Sequence, residues 1–425
     1  TFLMSDCLFN MKSYKKAKRV IYKELQNNKL DSKFNHILGK ILHKEGDCKA
    51  LGYYRIALNN EGSGEEVLNN MGAFFFEQRK FKCSEYALLK ALNLNKKNFN
   101  AKLNLAYTQL IRKNFKQGWY NQEFRWKADF ANDVVWPIKD RELWEGQRDK
   151  NVLLWKEQGI GDDILFMGLV PEASEITNST TVYTDPRLIS LCERGMPGVI
   201  FKPYRGKIED EEFDYHLPMG SLPRLFRNSE KDFERVTTGY LKADPKRVED
   251  LSQELGIGNK KVIGISWKSI KSLHTLKKSL CLMELGKIFR GLDVVLLNLQ
   301  YGDVNEEIRD FTKATGIEVL QCKSVDNRED LDGLAALIEN CDLVVSTSNV
   351  TIHLAGALGK ETWVLLPYVA NFWWLLDRTD SVWYPTLKLY RQKKYASWTY
   401  ILGNVCKHIK KMFNCLLYTS DAADE

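Results

Sequence analysis

The chain has 425 residues, which suits two or three domains, and its composition (44% hydrophobic, 28% charged) is that of a globular protein. A net charge of +7 is too small for this length to indicate a nucleic-acid-binding protein, although it suits an anionic ligand. Because no run of about 18 apolar residues occurs, we also expect no transmembrane segment.

Nine cysteines lie scattered along the chain, with no Cys-x-x-Cys pair and no histidine at the spacing of a metal site. This usage favours a reduced, cytoplasmic protein and predicts no metal. The first residues lack the basic start and long apolar core of a signal peptide, and the start at Thr1 indicates a fragment. Residues 415–425 break the preceding basic helical pattern and resemble a translated sequencing adapter, so we expect a non-native tail there.

The first 130 residues repeat small and aromatic residues at intervals of 34. The set comprises Gly72 and Ala106, with Leu38 in step before them; Ala50, Ser84 and Gly118; Ala57 and Ala91; and Phe81 and Phe115. Small residues at such points let two antiparallel helices approach closely, and the pattern resembles the tetratricopeptide repeat, with about three and a half units over residues 5–127. Such an array is either a docking surface for a partner or a platform for the next domain, and the sequence leaves both open.

After residue 130, apolar runs typical of strands alternate with helical stretches, which predicts parallel sheets with crossover helices. The predicted strands are 151–155 and 180–185 in a first half, and 261–267, 294–300, 316–321, 342–348 and 362–367 in a second. Residues 236–260 are predicted to be a linker between the halves. The predicted fold class is therefore an α-helical array (1–130) followed by two Rossmann-like α/β halves (131–240 and 241–414), with ligands bound beyond the carboxyl ends of the strands.

The segment 342–353 passes from a buried strand into a helix through a row of small polar residues. Ser348 or Asn349 can cap the helix, whose first N–H groups form an anion site together with the helix dipole. Thr351 and His353 lie in the first turns and can add donors. The pattern suits the diphosphate of a nucleotide-activated substrate, and an ordinary cap with a structural histidine is the alternative that spacing leaves open.

Polar residues follow other strands as well. Asp162 opens a helix after the glycine loop 159–161, and it is either a general base facing the cleft or an N-capping residue. Ser266 and Lys268 end the strand 261–267, and together with Lys278 they could reach the same phosphates. Gln300 ends the strand 294–300, where it could contact a base or a ribose.

Five segments occur in the order LLWKEQGIGDDILFMGLVP, IGISWKS, LNLQYGD, DLDGLAALIENCDLVVSTSNVTIHLAGALGKETWVLLP and DSVWYPTLKLYRQ. Together they resemble tetratricopeptide-repeat proteins with a C-terminal, heptosyltransferase-like glycosyltransferase domain of family 9, over residues 5–412. The resemblance implies a GT-B fold and a metal-independent, inverting sugar transfer from a nucleotide sugar, without a cofactor, to a protein or glycan acceptor. It also implies that Asp162 is the base, that the turn around Thr351 and His353 binds the donor phosphates, and that Lys278 is a nearby cation.

Two features depart from that family. Heptosyltransferases usually carry an acidic residue before the hydroxyl of the phosphate turn, where this chain has Thr347, Ser348 and Asn349, so ADP-heptose is not implied as the donor. Residues 368–378, YVANFWWLLDR, replace a more polar loop that would touch the acceptor. The alternative function is therefore a non-catalytic scaffold whose degenerate GT-B domain binds a nucleotide.

Overall fold

The computed structural model describes residues 1–59, 64–128, 136–138, 140–208, 212–236, 239–269 and 279–420, with side chains as far as 413. It divides into two compact units, Thr1–Val135 and Trp136–Glu425. The described part of the first unit is all helical. Its helices are α1 (Phe2–Asn10), α2 (Tyr14–Asn27), α3 (Ser32–Glu45), α4 (Ala50–Asn59), α5 (Gly64–Glu77), α6 (Phe81–Leu94), α7 (Phe99–Ile111) and α8 (Phe115–Gln122), followed by a 3-10 turn, Glu123–Lys127.

Close helix contacts at glycine explain the repeated small residues of the array. A Cβ atom on Gly72 of α5 would lie 2.5 Å from Cγ of Leu88 on α6, so only glycine lets these helices approach so closely. The equivalent contact of α3 and α4 uses Gly39, whose Cβ would lie 2.6 Å from Tyr54. Leu38, the residue that the 34-residue spacing selected, is instead a buried core residue. The array is confirmed, with the small residue of this hairpin one position later than predicted.

The turns within the four hairpins share one backbone geometry. Lys12, Gly46, Arg79 and Lys113 occupy equivalent positions and all have left-handed φ angles, of 57°, 79°, 55° and 66°. In each turn the next residue donates a backbone hydrogen bond to the carbonyl five residues back, as from Lys80 to Phe75 (2.8 Å). Glycine is the residue that adopts this conformation without strain, and it stands in only one of the four turns.

The second unit contains two parallel sheets. The first sheet has the strands β1 (Asn151–Trp155), β2 (Ser179–Thr184), β3 (Ile200–Pro203) and β4 (Tyr215–Pro218), in the order β3-β2-β1-β4. The second sheet has β5 (Val262–Ser266), β6 (Val295–Asn298), β7 (Val319–Leu320), β8 (Leu343–Thr347), β9 (Thr362–Leu366) and β10 (Leu387–Arg391), in the order β10-β9-β8-β5-β6-β7. A helical array followed by two parallel α/β sheets confirms the predicted fold class.

Helices connect the strands as crossovers. The first sheet is accompanied by α9 (Ile160–Met167), α10 (Val170–Ser174), α11 (Ile189–Gly195) and α12 (Leu222–Phe226). The second is accompanied by α13 (Pro245–Leu255), α14 (Leu282–Leu285), α15 (Asn305–Thr315), α16 (Leu331–Glu339), α17 (Val350–Leu358) and α18 (Thr399–Ser420). The predicted linker 236–260 thus contains the helix α13, which packs against α16, because its pattern PKRVEDLSQEL is amphipathic.

The strand orders place a topological switch point in each sheet. From β1 the chain runs outward through β2 and β3 and then returns to β4 on the other side of β1. From β5 it likewise runs through β6 and β7 and then returns to β8 on the other side of β5. At such points neighbouring connections leave in opposite directions, which opens a crevice at the carboxyl ends of the strands where ligands of open α/β sheets bind.

Candidate functional site

The site lies where α9 and α17, the helices that follow β1 and β8, come together. Both helices begin at the carboxyl ends of strands beside the switch points, and they pack against each other. A Cβ atom on Gly161, in the first turn of α9, would lie 3.2 Å from Cδ2 of His353 on α17. The amino-terminal turns of the two helices therefore meet, and their positive dipole ends share one region.

The start of α17 is capped as the sequence predicted. The Asn349 side-chain oxygen accepts a hydrogen bond from the backbone N–H of Thr351 (3.0 Å). No acidic residue lies in the first turn of α17, whereas Asp162 and Asp163 both lie in the first turn of α9. Since carboxylates neutralise a helix amino terminus, α17 keeps the end that favours an external anion.

Four of the predicted donor-binding residues, Ser266, Gln300, Asn349 and Thr351, form a buried network at the ends of β5, β6 and β8. The Ser266 hydroxyl donates to Gln300 Oε1 (3.1 Å) and accepts from Asn349 Nδ2 (2.7 Å). Gln300 Oε1 also accepts the backbone N–H groups of Trp267 and Lys268, each at 2.9 Å. These hydrogen bonds hold the ends of β5, β6 and β8 together at the switch point. Direct contact of these side chains with a donor stays a prediction.

Of the two lysines predicted to reach the donor phosphates, Lys268 lies among the described residues and Lys278 does not. Lys268 is half-buried, and its ammonium pairs with Glu307 Oε2 at 2.7 Å. Glu307 also accepts from the indole N–H of Trp267 (2.9 Å), so that its carboxylate ties the end of β5 to α15. Lys278 lies outside the described residues.

Aromatic residues of the 372–374 turn cover the start of α17. Trp374 Nε1 donates a hydrogen bond to the hydroxyl of Ser348 (3.1 Å), another of the residues predicted to bind the donor. The same indole stacks on the His353 ring, with centroids 5.7 Å apart and planes at 28°. Trp373 approaches that ring edge-to-face at 6.1 Å. His353 is only 5% exposed as a result.

Two buried tyrosines connect His353 to α9. His353 Nδ1 lies 3.0 Å from the Tyr384 hydroxyl, Tyr384 is hydrogen-bonded to Tyr240, and the Tyr240 hydroxyl donates to the Ile164 carbonyl (2.7 Å). Because a carbonyl can only accept, the Tyr240 proton is committed, so Tyr384 donates to Tyr240 and its oxygen accepts from His353. The neutral imidazole therefore carries its proton on Nδ1.

Asp162 and Asp163 are adjacent but differently placed. Asp162 is partly exposed, and its charge adds to the burial that raises the pKa of Tyr384, which places the carboxylate near the tyrosine pair. Asp163 is buried and accepts from the Thr184 hydroxyl (2.9 Å). Burial raises the pKa of Asp163 to about 6, against the opposing effects of Lys156 and the hydrogen bonds. Of the two, Asp162 alone has the exposure that a general base needs.

Sequence reasoning did not select Tyr240, Tyr384 or Trp374 as site residues. Tyr384 lies in the quoted segment DSVWYPTLKLYRQ and Trp374 in the aromatic loop 368–378, so a local signal existed for both, but no spacing rule connects either to His353. Tyr240 lies in the predicted linker, where nothing in the sequence marked it.

Among the described residues, no group of three or more His, Cys, Asp or Glu side chains could hold a metal ion. Within the same described residues, no helix is long and apolar enough to cross a membrane.

Comparison with known proteins gives three points of reference. No protein-family model matches the chain. It is 30% identical to Protein FlbA of Caulobacter vibrioides over 319 residues, which are 69% of this chain and 52% of FlbA, so the chain spans about half the length of that relative. The chain is similar to an O-GlcNAc transferase of Thermobaculum terrenum (12% identity, TM-score 0.36, 97% of this chain and 92% of the other). It is also similar to the E. coli ADP-heptose lps heptosyltransferase II (13%, 0.40, 64% and 99%).

Both solved structures are named as glycosyltransferases. The fold of this chain is established by its own element and strand order, described above.

Proposed function

We propose that the protein is a glycosyltransferase that takes a nucleotide sugar as donor. The observation that carries the proposal is the meeting of the α9 and α17 amino termini at two switch points, with Asp162 on one helix and His353 on the other. A diphosphate placed there would be stabilised by the positive end of α17, and the partly exposed carboxylate would lie on the opposite wall.

The proposed reaction balances with these groups alone. The oxygen of an acceptor hydroxyl forms a bond to the anomeric carbon while the bond from that carbon to the diphosphate breaks, and the diphosphate leaves with the electron pair. Asp162 takes the hydroxyl proton, and the α17 amino terminus, with an imidazolium at His353, stabilises the charge on the leaving group. Attack from the face opposite the diphosphate gives inversion, and in this scheme the helix end supplies the charge stabilisation that a metal ion supplies elsewhere.

The donor, the acceptor and the independence of metal belong to this proposal. A thermal-shift screen against ADP-, UDP- and GDP-sugars identifies the donor, because a ligand that binds the folded state raises its stability. Titration calorimetry then gives the affinity, and donor turnover is followed with and without EDTA. Turnover that EDTA abolishes would contradict the metal-independent scheme.

Asp162→Asn and His353→Ala separate the two roles. Asp162→Asn should leave donor affinity unchanged and lower turnover by roughly 100-fold or more, the usual contribution of a general base. His353→Ala should weaken nucleotide-diphosphate binding by about 10-fold, since hydrogen bonds to charged groups contribute about 1.5–3 kcal/mol. Asp250→Asn, an exposed carboxylate on α13, is the matched control and should change neither. Unchanged affinity in His353→Ala would refute the assigned anion site.

A second candidate is binding of a nucleotide without transfer. It is favoured by one observation, the contact of Trp374 with both Ser348 and His353, which occupies polar groups that a donor would use. Measurable binding with no turnover of any donor in the parent protein, and identical behaviour of Asp162→Asn, would support this candidate.

A further inference from the structure

Positive charge is concentrated in the helical array. Residues 1–128 contain 24 lysines and arginines against 11 aspartates and glutamates, whereas residues 129–425 contain 38 against 44. The modest net charge of the chain therefore conceals a strongly basic array and a mildly acidic remainder. Such an asymmetry indicates an anionic partner for the array.

One lysine recurs at the same place in every hairpin. Lys15, Lys49, Lys82 and Lys116 each stand three residues after the left-handed turn residue, at the start of α2, α4, α6 and α8, and all four are exposed. None of them has a side-chain hydrogen bond or ion pair with another described residue. We call these four residues the lysine row.

The lysine row does not stabilise the array. A cation at a helix amino terminus faces the positive end of the dipole, where an acidic residue would be favourable, and α2, α4, α6 and α8 have no acidic residue in their first turns. Three of the turns beside the row also hold Lys12, Arg79 and Lys113 in a left-handed conformation that glycine would adopt more easily. Cations are therefore placed along this edge at the expense of local stability.

The spacing of the row favours an extended polypeptide. The row directly follows the turns that end the first helices of the hairpins, α1, α3, α5 and α7. Successive first helices contact one another, and because packed helices lie about 8–10 Å apart, we take this distance as the spacing of the row. An extended chain covers that distance in about three residues. A strand-like segment with an acidic side chain at every third position would thus meet one lysine in each hairpin.

Exposed tyrosines next to the row are consistent with a protein partner. Tyr86 and Tyr120 follow Lys82 and Lys116 by one helical turn and are 61% and 58% exposed. Tyrosine is enriched in protein interfaces. The Lys90 ammonium lies 4.7 Å from the Tyr86 centroid, and Phe124 packs edge-to-face on Tyr120 at 5.9 Å, which leaves less open ring face for the base stacking that single-stranded nucleic acids need.

From these observations we infer that the edge of the array marked by the lysine row binds an acidic, extended polypeptide segment. The inference does not depend on glycosyl transfer, because binding to the array is measured without any nucleotide sugar.

The test uses the full chain and a fluorescein-labelled peptide of about 12 residues, with glutamate at every third position between glycine and serine. Fluorescence anisotropy should show binding that weakens as salt is raised. The variant Lys15→Gln/Lys49→Gln/Lys82→Gln/Lys116→Gln should bind about 10-fold or more weakly, because each change removes one exposed ion pair with the peptide.

The matched control removes the same charge from the opposite end of the hairpins. Lys23, Lys29, Lys96 and Lys97 are exposed at or near the ends of α2 and α6, and their fourfold change to glutamine should preserve most of the affinity. Equal losses in both variants would overturn the assigned edge, and equal binding of a peptide with its glutamates grouped together would overturn the spacing argument. Stronger binding of a single-stranded RNA of equal charge would overturn the choice of a polypeptide. Matching circular dichroism melts establish that both variants are folded.

Discussion

Asp163 is a carboxylate in an unfavourable place. It is buried in the first turn of α9, its Oδ2 atom accepts from the Thr184 hydroxyl and from the backbone N–H of Asp185, and its Oδ1 atom has no hydrogen-bond partner among the described residues. Lys156 Nζ lies 3.6 Å from Oδ2, and its charge lowers the pKa of Asp163, but burial outweighs this effect and raises the pKa to about 6. Between pH 4 and 6 the folded state thus keeps a proton that the unfolded chain has lost, so stability falls as pH rises across this interval.

Asp163→Asn should remove that pH dependence. The amide keeps an oxygen that accepts from the Thr184 hydroxyl, and it carries no charge that burial could penalise. We expect the melting temperature of the variant to match the parent near pH 4.5 and to exceed it by roughly 2 °C or more near pH 7.5, measured by differential scanning calorimetry. A variant that is less stable at pH 7.5 would contradict the raised pKa.

Asp185→Asn is the control of opposite sign. Burial alone would raise the pKa of Asp185, but hydrogen bonds from Arg187 and the charge of Lys156 outweigh it and lower the pKa to about 2. A carboxyl with a depressed folded pKa contributes stability that is present above the unfolded pKa and is lost as pH falls from about 4 to 2. Asp185→Asn should therefore lower the melting temperature at pH 7.5.

At the scale of elements, the short segment before α13 joins the two sheets by backbone contacts. The N–H of Leu241 donates to Ala357 of α17 (3.1 Å), and the N–H of Lys242 donates to Leu191 of α11 (3.3 Å). A Cβ atom on Gly195, the last residue of α11, would lie 2.1 Å from the Tyr240 carbonyl oxygen. Since that oxygen belongs to the backbone, the segment itself would have to move.

Gly195→Ala should destabilise the second unit by about 2 kcal/mol or more, as overpacking does. Gly198→Ala, three residues later, is the matched control because nothing lies within 4 Å of its Cβ position, and it should be neutral or stabilising by up to about 1 kcal/mol. Urea unfolding at constant m-value measures both changes. Equal stabilities of the two variants would show that α11 is not in close contact with the segment before α13.

Local patterns explain how much of these elements the sequence could predict. The 34-residue period locates the hairpins because each helix pair repeats the same close contact. It selects Leu38 instead of Gly39 because successive repeats differ in length by one residue. The buried central strands β5, β8 and β9 were found through their long apolar runs. The outer strand β3 was missed because it has four residues and an exposed Ile200.

The candidate site was predictable only in its helix starts. A strand followed by small polar residues marks the beginning of α17, and a glycine loop marks the beginning of α9, so Asn349 and Asp162 follow from local rules. The tyrosines that fix His353 come from segments distant in the chain, and only the folded structure brings them together. Whether Ser266 and Gln300 also touch a donor stays a prediction.

At the scale of the whole molecule, two compact units predict two unfolding transitions. Each unit has its own buried core, and proteins composed of such units depart from two-state unfolding. A nucleotide diphosphate that binds the second unit should raise one transition temperature and leave the other in place. Differential scanning calorimetry with and without ADP, UDP and GDP tests this, and the Gly72→Ala variant, which places a Cβ 2.5 Å from Leu88, identifies the transition of the array. Equal shifts of both transitions would contradict a site confined to the second unit.

The tyrosine pair behind His353 has a consequence for how an anion would bind. With its Nδ1 proton donated to Tyr384, the neutral ring can only accept a hydrogen bond at Nε2, and that edge of the ring lies next to Gly161. A diphosphate that binds this edge would need a proton on Nε2, so binding to the neutral ring would be coupled to the uptake of a hydrogen ion from solution. Calorimetric heats recorded in buffers of unlike ionisation enthalpy would reveal this uptake, and identical heats would mean that the diphosphate meets some other edge of the crevice.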